Sequence, residues 1–140
     1  MIAYFDTSSV IPLLVLEPAS AVCTRVWNDA DRVVSVRLLE PEARVALAMA
    51  RRARRLTAAQ LTKAITDLDA LLAEIDHIEV TPALAHQAGA LAQAHALRGY
   101  EAVHLAAARA VASADVLLAT GDAALGAAGR ASGMAVAVTS

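Results

Sequence analysis

Apolar residues in this chain follow two rhythms. Short runs of about four or five alternate with longer stretches in which apolar positions return every three or four residues. Ile2-Ala3-Tyr4-Phe5 is one such run and reads as a buried strand ending at Asp6. Thr7, Ser8 and Ser9 form a helix-entry cluster and open a short apolar helix to about Leu16. Glu17-Pro18 breaks it, and Ala19 to Trp27 reads as a second helix. Arg32 to Val36 (RVVSV) predicts a strand from its β-branched content. Arg37 to about Arg54 predicts a long helix, with Pro41 tolerated only in its first turn, where a missing N–H costs little.

The second half repeats the alternation. Thr57 to Ile75 is amphipathic, with Thr57 as N-cap and Leu61, Ile65, Leu68 and Leu72 on one stripe. His77 to Val80 predicts a short strand, and Thr81-Pro82 caps a helix running to about Leu97. Arg98-Gly99 is expected to stop that helix, and Tyr100 to begin another. Asp115 to Ala119 (DVLLA) reads as a strand, Thr120-Gly121-Asp122 as a turn opening a short helix, and Met134 to Val138 as a last strand. Short apolar strands between helices predict an α/β fold, a central parallel sheet flanked by helices on both faces. A single domain over 1–140 is expected, without repeats or linkers.

Composition narrows the class. Apolar residues make up 58% of the 140, but only 3% are aromatic, so the core is expected to be aliphatic and alanine-rich. No uninterrupted apolar stretch is long enough for a membrane span, and no signal peptide is evident. A lone cysteine, Cys23, excludes an internal disulfide and suits a reducing cytoplasm. The net charge of −2 argues against bulk attraction to nucleic acid but permits a local basic patch.

Ligands of open parallel sheets bind beyond the carboxyl ends of the strands. Asp6 ends the first strand, Glu40 lies in the opening turn of the helix after the second, and Asp122 follows DVLLA. Glu101 opens the helix that leads into DVLLA, which runs antiparallel to that strand and so starts near the same edge. Any one of these acids has a plain alternative as a helix cap or dipole partner. Together they suggest one pocket, whose mutual repulsion demands protons or cations. Oxygen-only ligands favour Mg²⁺ or Mn²⁺, ions suited to phosphodiester hydrolysis. Ser8 and Thr120 stand beside Asp6 and Asp122 and are expected to orient them.

The segments IAYFDTSSVI, RLLEPEARVAL, LRGYEAVHLAAA and LLATGDAAL, in this order, resemble the PIN-domain ribonucleases, specifically VapC-type toxins of toxin–antitoxin pairs. The resemblance covers nearly the whole chain. It implies that Asp6, Glu40, Glu101 and Asp122 hold Mg²⁺ or Mn²⁺. It also implies cleavage of single-stranded or loop RNA of the tRNA or rRNA class, a homodimer, and silencing by a cognate antitoxin in a groove near the first two helices. The family usually has aspartate where this chain has Glu101. The extra methylene adds about 1.5 Å of reach, which suggests metal binding with weakened turnover. His104, three residues on, lies on roughly the same helical face and reads as a packed, hydrogen-bonded residue or a pocket neighbour.

Arg37 and Arg98 lie nearest the expected pocket and are the candidate RNA contacts. Arg51, Arg52, Arg54 and Arg55 cluster at the far end of the Glu40 helix, about 15–20 Å away. They read as dipole partners or as contacts for an extended RNA. The four aromatic residues form no interleaved stacking platform. Two other functions compete: a binding module crippled by Glu101, and a phosphotransfer protein. The latter lacks its expected acids, since Ser8 stands where a D-x-D motif requires aspartate.

Overall fold

The computed structural model of this protein describes residues 1–111 and 115–140. Among them the chain forms β1 (Ile2–Phe5), α1 (Thr7–Leu14), α2 (Ser20–Asp29), β2 (Arg32–Val36), α3 (Leu39–Arg52) and α4 (Ala58–Glu74). β3 (Asp76–Ile78), α5 (Pro82–His95), α6 (Gly99–Ala110), β4 (Val116–Thr120), α7 (Ala123–Ala131) and β5 (Ala135–Val138) follow. The α/β expectation holds: all strand pairings are parallel, in the order β3-β2-β1-β4-β5. The chain steps outward from β1 to β3, crosses to β4 on the other side of β1, and steps outward again. The reversal falls between β1 and β4, where an open sheet leaves a crevice beyond its strand ends.

Side-chain alternation along the strands builds two cores. Ala3, Phe5, Val33 and Ala119 face α1 to α4, where Val10, Leu39, Leu47 and Leu68 are buried. Tyr4, Val34, Val36 and Leu118 face α5 to α7. The alanines of α6 let it lie close to the sheet: Ala102, Ala106, Ala107 and Ala108 are all buried. Close packing of small side chains takes the place of aromatic bulk. Among the described residues no helix is long and apolar enough to cross a membrane.

The strand expected at His77–Val80 is β3, Asp76–Ile78, and among the other boundaries that differ from expectation, three do so for local reasons. Arg37 is not helical, because its N–H donates to the Ile78 carbonyl (2.9 Å) and prolongs the β2–β3 ladder; α3 starts two residues later. The α5 helix stops before Arg98-Gly99. Ala96 takes the left-handed conformation (φ 53°) as its cap, Leu97 turns into the core, and Gly99 opens α6. Thr120 closes β4 rather than beginning the turn, and Thr139 N–H donates to its carbonyl.

Two helical glycines separate propensity from packing. A Cβ on exposed Gly89 meets nothing within 4 Å, so Gly89→Ala should stabilise by about 0.5–1 kcal/mol. A Cβ on Gly129 would lie 2.8 Å from Leu118 Cδ2 and 3.2 Å from Val136 Cγ2, and Leu118 is fully buried. Gly129→Ala should therefore destabilise, by about 1–2 kcal/mol. Urea denaturation of the two variants should show midpoints moving in opposite directions.

Candidate active site

Helices α1, α3, α6 and α7 all begin at the edge of the sheet where β1 and β4 end, and their first turns enclose a cavity of about 140 Å³. Asp6, Thr7, Ser8, Glu42, Tyr100, Glu101, His104, Asp122 and Leu125 line it. Four carboxylates therefore face one small space, and no lysine or arginine lines it.

Asp6 lies deepest. It is the N-cap of α1, buried, with its Oδ1 accepting from Ser9 N–H (3.1 Å) and from Ser8 Oγ (2.7 Å). Its Oδ2 accepts from Thr120 Oγ1 at 2.6 Å. The two hydroxyls are tied to the opposite loop in turn. Gly121 N–H donates to Ser8 Oγ, and Asp122 N–H donates to Thr120 Oγ1. Burial pushes the Asp6 carboxyl above its ordinary value despite these donors, of which Thr120 is the strongest counterweight. Ser8 and Thr120, the hydroxyls expected to orient the acids, each bond to Asp6.

Asp122 caps α7 through Oδ1 and Leu125 N–H (2.9 Å). Glu101 reaches back so that its Oε2 accepts from Arg98 N–H at 2.9 Å. This is half a capping box, since the Arg98 guanidinium has no acceptor to return. Only 6% of Glu101 is exposed. Each of these acids spends one oxygen on a helix terminus. Asp122 Oδ2, Glu101 Oε1 and Glu42 Oε2 accept no hydrogen bond among the described residues.

The fourth acid is Glu42, and the expectation for Glu40 is corrected. Both lie in the first turn of α3, but two residues apart on a helix is about 200° of rotation. The buried stripe Leu39, Ala43, Leu47 and Ala50 runs between them, so they point to opposite sides. Glu42 faces β1 and the cavity. Glu40 faces the β3 side, in a shallow depression with Arg37, Glu79 and Val80.

His104, also in the cavity wall, fixes Glu42. Its Nε2 lies 2.7 Å from Glu42 Oε1, which also accepts from Thr7 Oγ1 at 3.1 Å. Its Nδ1 lies 2.9 Å from the Tyr4 hydroxyl, and the two rings meet edge to face. An ionised Glu42 can only accept, so Nε2 donates; in the neutral ring Nδ1 then accepts from Tyr4. Burial raises Tyr4 well above the ordinary phenol value, keeping it a donor. Neither Glu42 nor the Tyr4 contact was found from sequence, although the three-residue spacing of Glu101 and His104 pointed to one face.

Of the candidate RNA contacts, Arg37 is removed from the cavity. Its Nη2 and Nε bond Glu79 Oε1 at 2.6 and 3.0 Å, and the pair pushes the guanidinium up and the Glu79 carboxyl down. Arg98 is exposed directly before α6, and among the described residues it has no ion pair. Arg51, Arg52, Arg54 and Arg55 are exposed at the opposite end of α3.

An oxygen-only donor set with uncompensated charge suits a hard divalent cation. Among the described residues no three Asp, Glu, His or Cys side chains already stand grouped as ligands of one ion. The fit therefore rests on the chemistry of the donors and on their three unused oxygens.

No family-level sequence model matches the chain. It is similar to the ribonucleases VapC45 and VapC49 of Mycobacterium tuberculosis, at 40% identity over 121 residues, covering 86% of this chain and 84% of each relative. In structure it is similar to PAE2754 of Pyrobaculum aerophilum (TM-score 0.70, 20% identity, 97% of this chain and 83% of that one). M. tuberculosis VapC20, described as a sarcin–ricin-loop-cleaving toxin, superposes with a TM-score of 0.69 at 20% identity over 91% of this chain and 95% of that one. A toxin–antitoxin complex from Klebsiella pneumoniae gives a TM-score of 0.61 at 19% identity, with 86% of each chain covered. A parallel sheet in this strand order, an acidic cavity at its switch point and 40% identity across most of the sequence have one reading: the chain belongs to the VapC family of PIN-domain ribonuclease toxins.

Proposed function

We propose that this protein is a metal-dependent endoribonuclease toxin that hydrolyses phosphodiester bonds of single-stranded or loop RNA and is silenced by a cognate antitoxin. The observation that carries the reading is the convergence of Asp6, Glu42, Glu101 and Asp122 on one cavity without a cationic side chain. Asp6, Glu42, Glu101 and Asp122 would hold Mg²⁺ or Mn²⁺, with Glu42 in the role expected of Glu40. A bound ion supplies water activation and neutralises charge building on the phosphate. Ser8 and Thr120 hold both oxygens of Asp6 in place, and His104 and Thr7 hold Oε1 of Glu42. Arg98 positions the RNA through a phosphate, without reading sequence.

The description of VapC20 as cleaving the sarcin–ricin loop supports an RNA loop of the tRNA or rRNA class as substrate. The Klebsiella complex supports an antitoxin partner. Leu16, 93% exposed after α1, together with Val45 and Met49 on the outer face of α3, gives apolar surface for that partner or for a second copy in a homodimer. A weakened catalyst is the second reading, and one observation favours it: Glu101 commits Oε2 to Arg98 N–H, leaving one oxygen for the cavity.

Purified, antitoxin-free protein should cut a structured RNA panel with Mg²⁺ or Mn²⁺ and not with EDTA. Asp6→Ala should abolish cutting, while Ser8→Ala and Thr120→Val should lower it by about 10–100-fold. Metal-independent cutting would remove the proposed chemistry.

Replacing Glu101 by aspartate should raise turnover several-fold with Mn²⁺ affinity kept within a few-fold. Wild type cutting as fast as Glu101→Asp would sink the weakened-catalyst reading.

The raised Asp6 carboxyl has a stability consequence in the metal-free protein. The folded state holds this proton more tightly than the unfolded chain, so it gains stability at low pH and loses it as pH rises above the ordinary carboxylate value of 3.8. In EDTA, the melting temperature of wild type relative to Asp6→Asn should fall between pH 4 and pH 7. At pH 7, Mg²⁺ or Mn²⁺ should raise the wild-type value and leave Asp6→Asn nearly unmoved; equal responses would show that no ion relieves Asp6.

A further inference from the structure

The cavity is too small for a nucleotide. Its volume of about 140 Å³ equals about five liquid waters at 30 Å³ each. A phosphodiester group with an ion and a water fills it, so the bases on either side must lie at the rim. The rim carries one side chain built to meet a base. Tyr100 lines the cavity from the first turn of α6, yet 43% of it is exposed. Tyr4 and Phe5 are fully buried, and Trp27 is half-buried edge-on against Phe5 in the other core. Tyr100 has no hydrogen bond or ring contact among the described residues. Its backbone is nonetheless held at the cavity mouth, because Glu101 beside it is buried and anchored to Arg98 N–H. Arg98, exposed two residues earlier, offers a charge to the neighbouring phosphate.

We infer that Tyr100 is a base-stacking subsite, taking the nucleobase next to the scissile phosphate of a single-stranded RNA on its exposed ring. This rests on the nuclease reading above and adds to it how the strand is held. One ring takes any base, because every base has a π-face. It requires that base to be unpaired, because a ring at the mouth of so narrow a cavity can stack only on a base turned out of a duplex. Tyr100 thus selects for loops and single strands rather than for a sequence.

The test uses the full chain with Ca²⁺ present as the oxygen-seeking ion. Two fluorescein-labelled probes are compared by anisotropy: a mixed-sequence RNA 12-mer and an all-abasic ribose-phosphate 12-mer of equal charge. Mn²⁺-dependent cutting of the RNA 12-mer is followed in parallel. Wild type should prefer the RNA 12-mer, and Tyr100→Ala should bind it at least about five-fold more weakly while binding the abasic probe as before. Tyr100→Phe should behave as wild type, which excludes the hydroxyl. Tyr100→Trp should keep affinity, with indole emission beyond that of Trp27 quenched by the RNA 12-mer and not by the abasic one. Unchanged RNA binding by Tyr100→Ala, or equal losses for both probes, overturns the stacking site while wild-type cutting leaves the nuclease reading standing. A wild type that neither binds nor cuts the RNA overturns both.

Discussion

Four carboxylates around 140 Å³ repel one another, and the fold is arranged so that this is tolerable. Four helices present their N-terminal ends to the cavity, and each such end carries partial positive charge and unsatisfied N–H groups. Asp6 and Asp122 cap α1 and α7, Glu101 folds back on the start of α6, and Glu42 sits in the first turn of α3. Capping a helix and facing the cavity are thus not alternatives for an acid here. Asp122 and Glu101 each spend one oxygen on a helix terminus and leave the other without a hydrogen bond among the described residues, while both oxygens of Asp6 accept hydrogen bonds. At Asp6, burial outweighs three donors and raises the carboxyl above its ordinary value.

Rigidity around this charge comes from neutral groups. The hydroxyls of Ser8 and Thr120 clamp Asp6 and are themselves held by the N–H groups of Gly121 and Asp122, which ties β1, α1 and the β4–α7 loop to one another. On the other wall, Tyr4 reaches from β1 to His104 on α6, and His104 reaches to Glu42 on α3. The chain of hydrogen bonds crosses the edge of the sheet and ties two helices on opposite faces to the same strand. Close packing makes it possible: four small buried alanines let α6 approach the strands until its histidine meets the Tyr4 hydroxyl.

The sequence by itself determined the alternation of strands and helices, because apolar runs and periodic stripes are local signals. It placed Asp6 and Asp122 at the edge where the structure has them, since in a parallel sheet every strand ends on one side and the helix after it starts there, and Glu101 because a helix leading antiparallel into β4 starts near that edge. It placed Ser8 and Thr120 beside them for the same reason. Glu101 was legible as the acid that opens its helix, though not that its side chain would reach back to the Arg98 N–H.

Tertiary structure decided what depends on lateral order. Glu40 and Glu42 share a helix end and flank the same buried stripe, so local pattern cannot choose between them. The choice follows from β2 lying between β1 and β3, which turns Glu42 toward the crevice and Glu40 away from it. Arg37 and Glu79 meet only because β2 and β3 are neighbours, and Tyr4 meets His104 across a hundred residues of chain. Periodicity fixes which residues share a face of one element, but which element that face meets is set by the order of strands in the sheet.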